Sequence, residues 1–196
     1  MELIVDEKKR GTKLPIILRA ALECFTAKGI HATTTKEIAD RAGVSEGAIY
    51  RHYAGKQALA EDLYITHLDY MTSLLEKRMP AEGSLREKLF TLVEGCFRFF
   101  DEDPALFSYL ILSEHSELGK TTRKVRHIRH LILDILNDGR SRGEVRDTDL
   151  EVLSACLIGM IIRVAVFRIY GLVEGKMVAL APEVAEACCR VAAKEA

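Results

Sequence analysis

The sequence contains no apolar–polar alternation long enough for a strand, no internal repeat and no low-complexity segment. Sheet folds, solenoids and disordered tails are thereby excluded, and an all-α chain remains. The short motifs of catalysis are missing too. There is no glycine-rich phosphate loop, no His-Glu-x-x-His, and no serine or cysteine nucleophile framed by a base. His127 and His130 lie three apart, but no cysteine or carboxylate is placed to complete a metal site with them. An enzyme is not expected, nor a metal or cofactor.

None of the five cysteines forms a Cys-x-x-Cys pair, and their number is odd. Cys24, Cys96, Cys156, Cys188 and Cys189 read as small hydrophobes in a reducing cytosol. The vicinal Cys188–Cys189 pair lacks the cluster of cations that would make a thiolate and a redox sensor. The N-terminus has no apolar core of a signal peptide. The longest apolar run, Val152 to Tyr170, is interrupted by Arg163 and Arg168, which are costly in lipid. A helix buried on most sides of a cytoplasmic protein is the expectation.

Strong net charge is also lacking: 28 Lys+Arg stand against 29 Asp+Glu, a net of −1. The distribution is less even. Residues 1–60 carry 10 basic against 7 acidic side chains, leaving 18 against 22 for the rest. That asymmetry fits a DNA-facing N-terminal segment without proving one.

What the chain does have is concentrated between Thr34 and Lys56. Thr34 and Glu37 have the spacing of a capping box, and Ile38, Ala39 and Ala42 make a small apolar face. Gly43 closes that short helix and Val44 plugs the corner. Ser45 caps a second helix carrying Ala48, Ile49 and Tyr53 inward. Two short helices joined by a glycine turn make a helix-turn-helix. Tyr50, Arg51, His52 and Lys56 gather hydroxyl, guanidinium, imidazole and ammonium donors at helix ends, as phosphate oxygens require.

About nine helices are predicted. The first runs from about Lys13 to Lys28, stopped by Gly29. After the helix-turn-helix, a long fourth helix covers about Lys56 to Arg78 and breaks at Pro80–Gly83. The fifth starts at the Ser84 cap and the sixth at Asp103-Pro104. The seventh covers about Thr121 to Asn137, and the eighth opens at a Thr148–Glu151 capping box and ends at Gly171. The ninth covers about Val178 to Lys194. An arm ahead of them carries Lys8-Lys9-Arg10, either solvated or touching phosphates or the minor groove.

The run Leu18–Phe25 (LRAALECF), with Gly29, Thr34, Ile38-Ala39, Ala42-Gly43-Val44-Ser45, Tyr50, His52-Tyr53, Lys56 and Leu59, resembles the N-terminal domain of TetR/AcrR-type transcriptional regulators. It is dense over about residues 14 to 65. Beyond them only the length and helical pattern agree. The resemblance implies a DNA-binding domain over 1–58 and a ligand-binding and dimerisation domain over 59–196. It places Thr35 and Lys36 on the DNA backbone and makes Tyr50, His52 and Lys56 phosphate contacts. Glu46, Gly47, Ala48 and Arg51 fall where base edges are read. A carboxylate there can accept from a cytosine amino group, a methyl can pack on thymine, and a glycine permits close approach.

The resemblance further implies a homodimer through helices 8 and 9, where Ala185, Cys188, Cys189 and Ala192 are small enough for close helix approach. It implies a small-molecule effector, unidentified, in a cavity bounded by helices 4 to 8, with His67, Met71, Phe97, Phe107, Tyr109 and Arg163 as candidate lining. Each is also an ordinary packing residue. Arg163, flanked by Met160, Ile161, Ile162, Val164 and Ala165, needs a buried acid, a ligand's acceptor end, or a route to solvent along the dimer seam. Lys120, Arg123, Lys124, Arg126 and Arg129 crowd the start of helix 7, where the macrodipole disfavours cations; they are either solvated or face an anionic partner. The expected function is a homodimeric repressor released from a palindromic operator by its effector. The alternative is an architectural or division-site DNA-binding factor controlled by a protein partner.

Overall fold

A computed structural model describes residue 3, residues 13–114 and residues 126–194. Helices account for nearly all regular structure among them, as the sequence predicts; one isolated antiparallel bridge joins Val145 to Ala193. The chain forms two compact units, Met1–Tyr70 with Ala105–Val125, and Met71–Pro104 with Arg126–Ala196. The first boundary falls after Tyr70 rather than at residue 58, and among the described residues 105–114 group with the N-terminal segment.

In the first unit, α1 (Leu14–Ala32) has Pro15 in its first turn, where no backbone donor is needed. Ile17, Leu18, Ala21, Leu22 and Phe25 form its buried face. Gly29 leaves helical geometry at φ 82°, ψ 161°, so the helix is broken there and one further turn reaches Ala32. Next come α2 (Thr35–Ala42), α3 (Glu46–Tyr50) and α4 (Lys56–Arg78), whose residues up to Tyr70 belong to this unit. Ile17, Leu22, Ile38, Ile49 and Leu59 are fully buried. α6 (Pro104–Glu114) adds Tyr109, whose hydroxyl donates to the Ala60 carbonyl at 2.8 Å while its ring stacks on Phe25 at 6.0 Å. Those contacts bring residues 105–114 into this unit.

In the second unit, α5 (Leu85–Glu102) starts at a Ser84–Glu87 capping box. Gly95 lets the C-terminal part of α4 approach: a Cβ there would lie 2.5 Å from Leu75 Cδ2. Lys88, only 7% exposed, donates to Asp138 on α7 (Ile128–Ser141) at 2.6 Å. The Asp101 carboxylate accepts from the backbone N–H groups of Met177 and Val178, at 2.9 and 3.0 Å, fixing a 3₁₀ turn over Met177–Leu180 ahead of α9 (Ala181–Ala192).

Several predicted boundaries move. Residues 115–125 lie outside the described segments, and α7 starts at Ile128. His127 is its N-cap residue, with its backbone N–H directed to His130 Nδ1 at 3.3 Å, so the two histidines serve the helix start. Burial, the neighbouring His130 and then Arg129 depress the His127 pKa. The Thr148–Glu151 capping box does not form. Asp149 caps α8 (Leu150–Ile169) instead, accepting from the N–H groups of Glu151 and Val152; a carboxylate one position later outcompetes the hydroxyl.

The largest departure concerns the faces of α8. Leu153, Leu157, Ile161 and Ala165, each one turn from the next, are buried. The opposite face is open: Val152 is 60% and Phe167 42% exposed, with Cys156, Gly159 and Arg163 exposed between them. Burial on most sides is therefore not reached within one chain. Among the described residues α8 is the one helix long and apolar enough to cross a bilayer, and 33% of its apolar window is buried.

α9 also differs from expectation. Cys188 and Ala192 are fully buried and Ala185 and Cys189 nearly so, packed within their own unit, where α9 lies against α5. Burial pushes the Cys188 thiol up to about 11 and that of Cys96 up to about 12, so these are protonated packing groups rather than thiolates.

Candidate nucleic-acid interface

The geometry of α3 is set by its neighbours, since five residues cannot hold a helix alone. α2 begins at a complete capping box: Thr34 N–H donates to Glu37 Oε2 at 2.8 Å and Glu37 N–H to the Thr34 hydroxyl at 3.2 Å. The Lys28 ammonium, then the Thr34 backbone and hydroxyl, hold the Glu37 carboxyl down at about 2. Gly43 ends α2 at φ 64°, ψ 36°, a left-handed conformation open to glycine, and Val44 N–H returns to the Ala39 carbonyl at 3.0 Å. Ser45 occupies the N-cap position of α3 in extended geometry, but its side chain makes no capping bond, contrary to the sequence reading.

Ala48, Ile49 and Tyr53 turn inward, as expected. The Tyr53 hydroxyl donates to Asp62 Oδ2 at 2.6 Å, tying the chain after α3 to α4; burial is the main reason its pKa rises. Ala48, at 3% exposure, is thereby removed from the candidate base readers, because its methyl lies in the core. What α3 and its surroundings leave outside is polar. Tyr50 is 53% exposed, Lys36, Gly47 and Arg51 are exposed, and Thr35, Glu46, His52 and Lys56 are half-buried. A Cβ at Gly47 would have only the Ser45 hydroxyl within 4 Å, at 3.8 Å, so the fold itself does not require glycine there.

Two candidates have internal partners that spacing could not show. The Lys56 ammonium donates to the carbonyls of His31 and Thr33 at 2.7 and 2.5 Å, binding the start of α4 to the end of α1. An ammonium has three donors, so one remains for a phosphate. Thr33, not singled out by sequence, is fully buried and donates to the Gly29 carbonyl at 2.8 Å, so the turn Lys56 grips is itself fixed. The Thr35 hydroxyl donates to Glu46 Oε2 at 2.9 Å and lies 3.3 Å from the Tyr50 hydroxyl.

Thus Thr35, Lys36, Glu46, Gly47, Tyr50 and Arg51 surround one short helix, presenting mostly donors and cations around a bare backbone. The sequence profile described as "Bacterial regulatory proteins, tetR family" matches residues 17–63, the segment that holds this site. The chain is 45% identical over 140 residues to the HTH-type transcriptional regulator YvkB of Bacillus subtilis, covering 66% of this chain and 69% of YvkB. The protein belongs to the TetR family.

This TetR-family chain is also 28% identical over 158 residues to the HTH-type transcriptional activator FasR of Mycolicibacterium smegmatis, covering 78% of this chain and 70% of FasR. Its fold matches that of the regulator FadR from Bacillus subtilis in complex with stearoyl-CoA, at a TM-score of 0.79 and 21% identity over 89% of this chain and 96% of that one. The family consists of DNA-binding transcriptional regulators rather than enzymes, and this chain is such a regulator.

The effector candidates fare differently. His67, Met71, Phe97, Phe107 and Tyr109 are all buried, at 0–3% exposure; His67, Phe107 and Tyr109 belong to the first unit, Met71 and Phe97 to the second. His67 is oriented by a 2.8 Å bond from Nδ1 to the Leu63 carbonyl. Arg163 lies on the exposed face of α8 and pairs with no acid among the described residues. The buried-acid expectation is thereby corrected: helical spacing sets Arg163 opposite the buried row of Leu153 to Ala165. Of the basic cluster, Arg126 is paired with Glu76 and Asp134 and Arg129 with Glu151, which gives both an intramolecular partner. Lys120, Arg123 and Lys124, like the arm with Lys8-Lys9-Arg10, lie outside the described residues.

Proposed function

We propose that the protein is a cytoplasmic, homodimeric repressor that binds a palindromic operator through α3 and leaves it when a small molecule binds. The observation that carries the DNA-binding part is the exposed set Lys36, Gly47, Tyr50 and Arg51 around a helix whose other side is buried. Lys36 and Arg51 neutralise phosphates or reach guanine edges, His52 donates to phosphate oxygens, and the third donor of Lys56 completes the clamp.

Dimerisation is supported by the open α8 face, an apolar strip left uncovered among the described residues. Reading two operator half-sites one turn of B-DNA apart requires two α3 helices about 34–36 Å apart, one from each copy. Arg163 then sits in or beside that seam, not in an effector cavity, and α9 contributes only its outer side. An effector lowers operator occupancy by its differential affinity for the two dimer geometries. The ligand of FadR makes stearoyl-CoA the first probe for an effector with a long apolar body.

The test is a selection of bound fragments from random duplex DNA, followed by titrations in rising salt. The reading requires a palindromic motif, a steep negative salt slope and a dimer in sedimentation. An operator-linked reporter decides the direction of regulation. Derepression on deletion supports the repressor; loss of expression supports an activator, the role named for FasR. Failure of every fragment to bind above background sinks the proposal.

A further inference from the structure

We propose that Glu46 sets the base preference of each operator half-site in favour of cytosine, with Thr35 as the residue that positions it. The inference rests on the DNA-binding reading above and assigns Thr35 and Tyr50 roles other than donation to phosphate. The Thr35 hydroxyl has one hydrogen, and it is used on Glu46 Oε2 at 2.9 Å. The Tyr50 hydroxyl, 3.3 Å away, therefore donates into the Thr35 oxygen, and the three groups form one directed chain from Tyr50 through Thr35 to Glu46. Each donor in such a chain strengthens the next.

The consequence is a carboxylate held in one rotamer with Oε1 free of partners among the described residues. A fixed, acceptor-only group next to Gly47, where the backbone of α3 is bare, discriminates among base edges. Guanine offers N7 and O6, both acceptors, and thymine offers O4 with a methyl group; against these the carboxylate is left desolvated and unpaired. Adenine offers an N6 donor, but its N7 acceptor lies beside it. Cytosine offers N4–H₂ with no neighbouring acceptor on the major-groove edge, and so is preferred. The charge also repels phosphates, so Glu46 costs general affinity and is useful only as a discriminator.

The experiment compares full-length protein with Glu46→Gln, Glu46→Asp, Thr35→Val and Thr35→Ser in the same selection from random duplex DNA. Circular dichroism melting confirms that each variant folds. Wild type is expected to enrich cytosine at one fixed position in each half-site, about ten- to a hundred-fold over guanine. Glu46→Gln should move that position towards adenine, which an amide matches with both a donor and an acceptor, and leave the rest of the motif unchanged. Glu46→Asp, which cannot span from Thr35 to the base, should flatten it. Thr35→Val should flatten it likewise, and Thr35→Ser should restore it. A merely structural link would not move a single position of the motif. A wild-type motif without cytosine there, or an identical motif from Glu46→Gln, overturns the assignment while leaving DNA binding intact. A wild type that enriches nothing overturns both readings.

Discussion

α3 and α8 each leave one side uncovered, and the two uncovered sides are chemically opposite. α3 buries Ala48 and Ile49 and turns Tyr50 outward, among Lys36 and Arg51. α8 buries Leu153, Leu157, Ile161 and Ala165 and turns Val152, Cys156 and Phe167 outward, with Arg163 the one charge between them. A polar, cationic face is stable in water and gains only when a polyanion replaces it. An apolar face is unstable in water and gains from any apolar surface that fits. The first is suited to reversible contact with DNA, the second to lasting contact with protein.

The largest expected effect tests whether α8 rather than α9 carries the uncovered apolar surface. Cys188→Glu puts a charge in the core between α5 and α9 and should cost about 3–5 kcal/mol, seen as a collapse of the thermal transition. Phe167→Glu, on the outer face of α8, should keep helicity while shifting sedimentation towards monomer. A Cys188→Glu protein that is fully folded and monomeric would reverse this assignment of the two helices.

The next effect is on the α3 side. Lys56→Ala removes two charge-assisted bonds to the carbonyls of His31 and Thr33 and should destabilise the first unit by about 1–3 kcal/mol. It should also lower the salt slope of DNA binding by no more than about one unit. An unchanged melting transition would mean that the ammonium serves phosphate alone.

These first two comparisons show what was legible in the sequence. The helix-turn-helix was, because each of its requirements falls on a residue type with few substitutes: Thr34 with Glu37, Gly43 at φ 64°, Ala39 at the crossing. The use of Thr35 and Lys56 was not, since a hydroxyl and an ammonium reach several partners and only coordinates choose among them. Which side of α8 stays open is not marked in the sequence, because its four-residue buried row and its apolar outer row give no polar stripe. The small residues of α9 fit either a seam or a core, and α5 takes them as core.

A smaller effect separates fold from contact at Gly47. Gly47→Ala should raise stability by up to about 1 kcal/mol, because a Cβ meets nothing closer than 3.8 Å and alanine is the better helix former. The same change should weaken operator binding if base edges approach that backbone. Weakened binding without loss of stability identifies an external partner; unchanged binding removes Gly47 from the interface.

The smallest effect is electrostatic. The Glu37 carboxyl is lowered from 4.5 to about 2, so its contribution is present above 4.5 and fades as pH falls towards 2. Glu37→Gln should flatten the acid limb of the stability profile across that window, measured by chemical denaturation. The alkaline limb, governed by raised thiols such as Cys188, should be untouched.

The open face of α8 also makes the abundance of the protein a variable in its own right. If that face closes only on a second copy, the species able to grip both half-sites forms by a second-order reaction. At low abundance a tenfold fall in chain number lowers the dimer about a hundredfold. Dilution at cell growth, slowed synthesis or faster proteolysis of the monomer would then clear an operator with no ligand present. The threshold for that release would be written in Val152, Cys156, Arg163 and Phe167 rather than in any residue that approaches DNA.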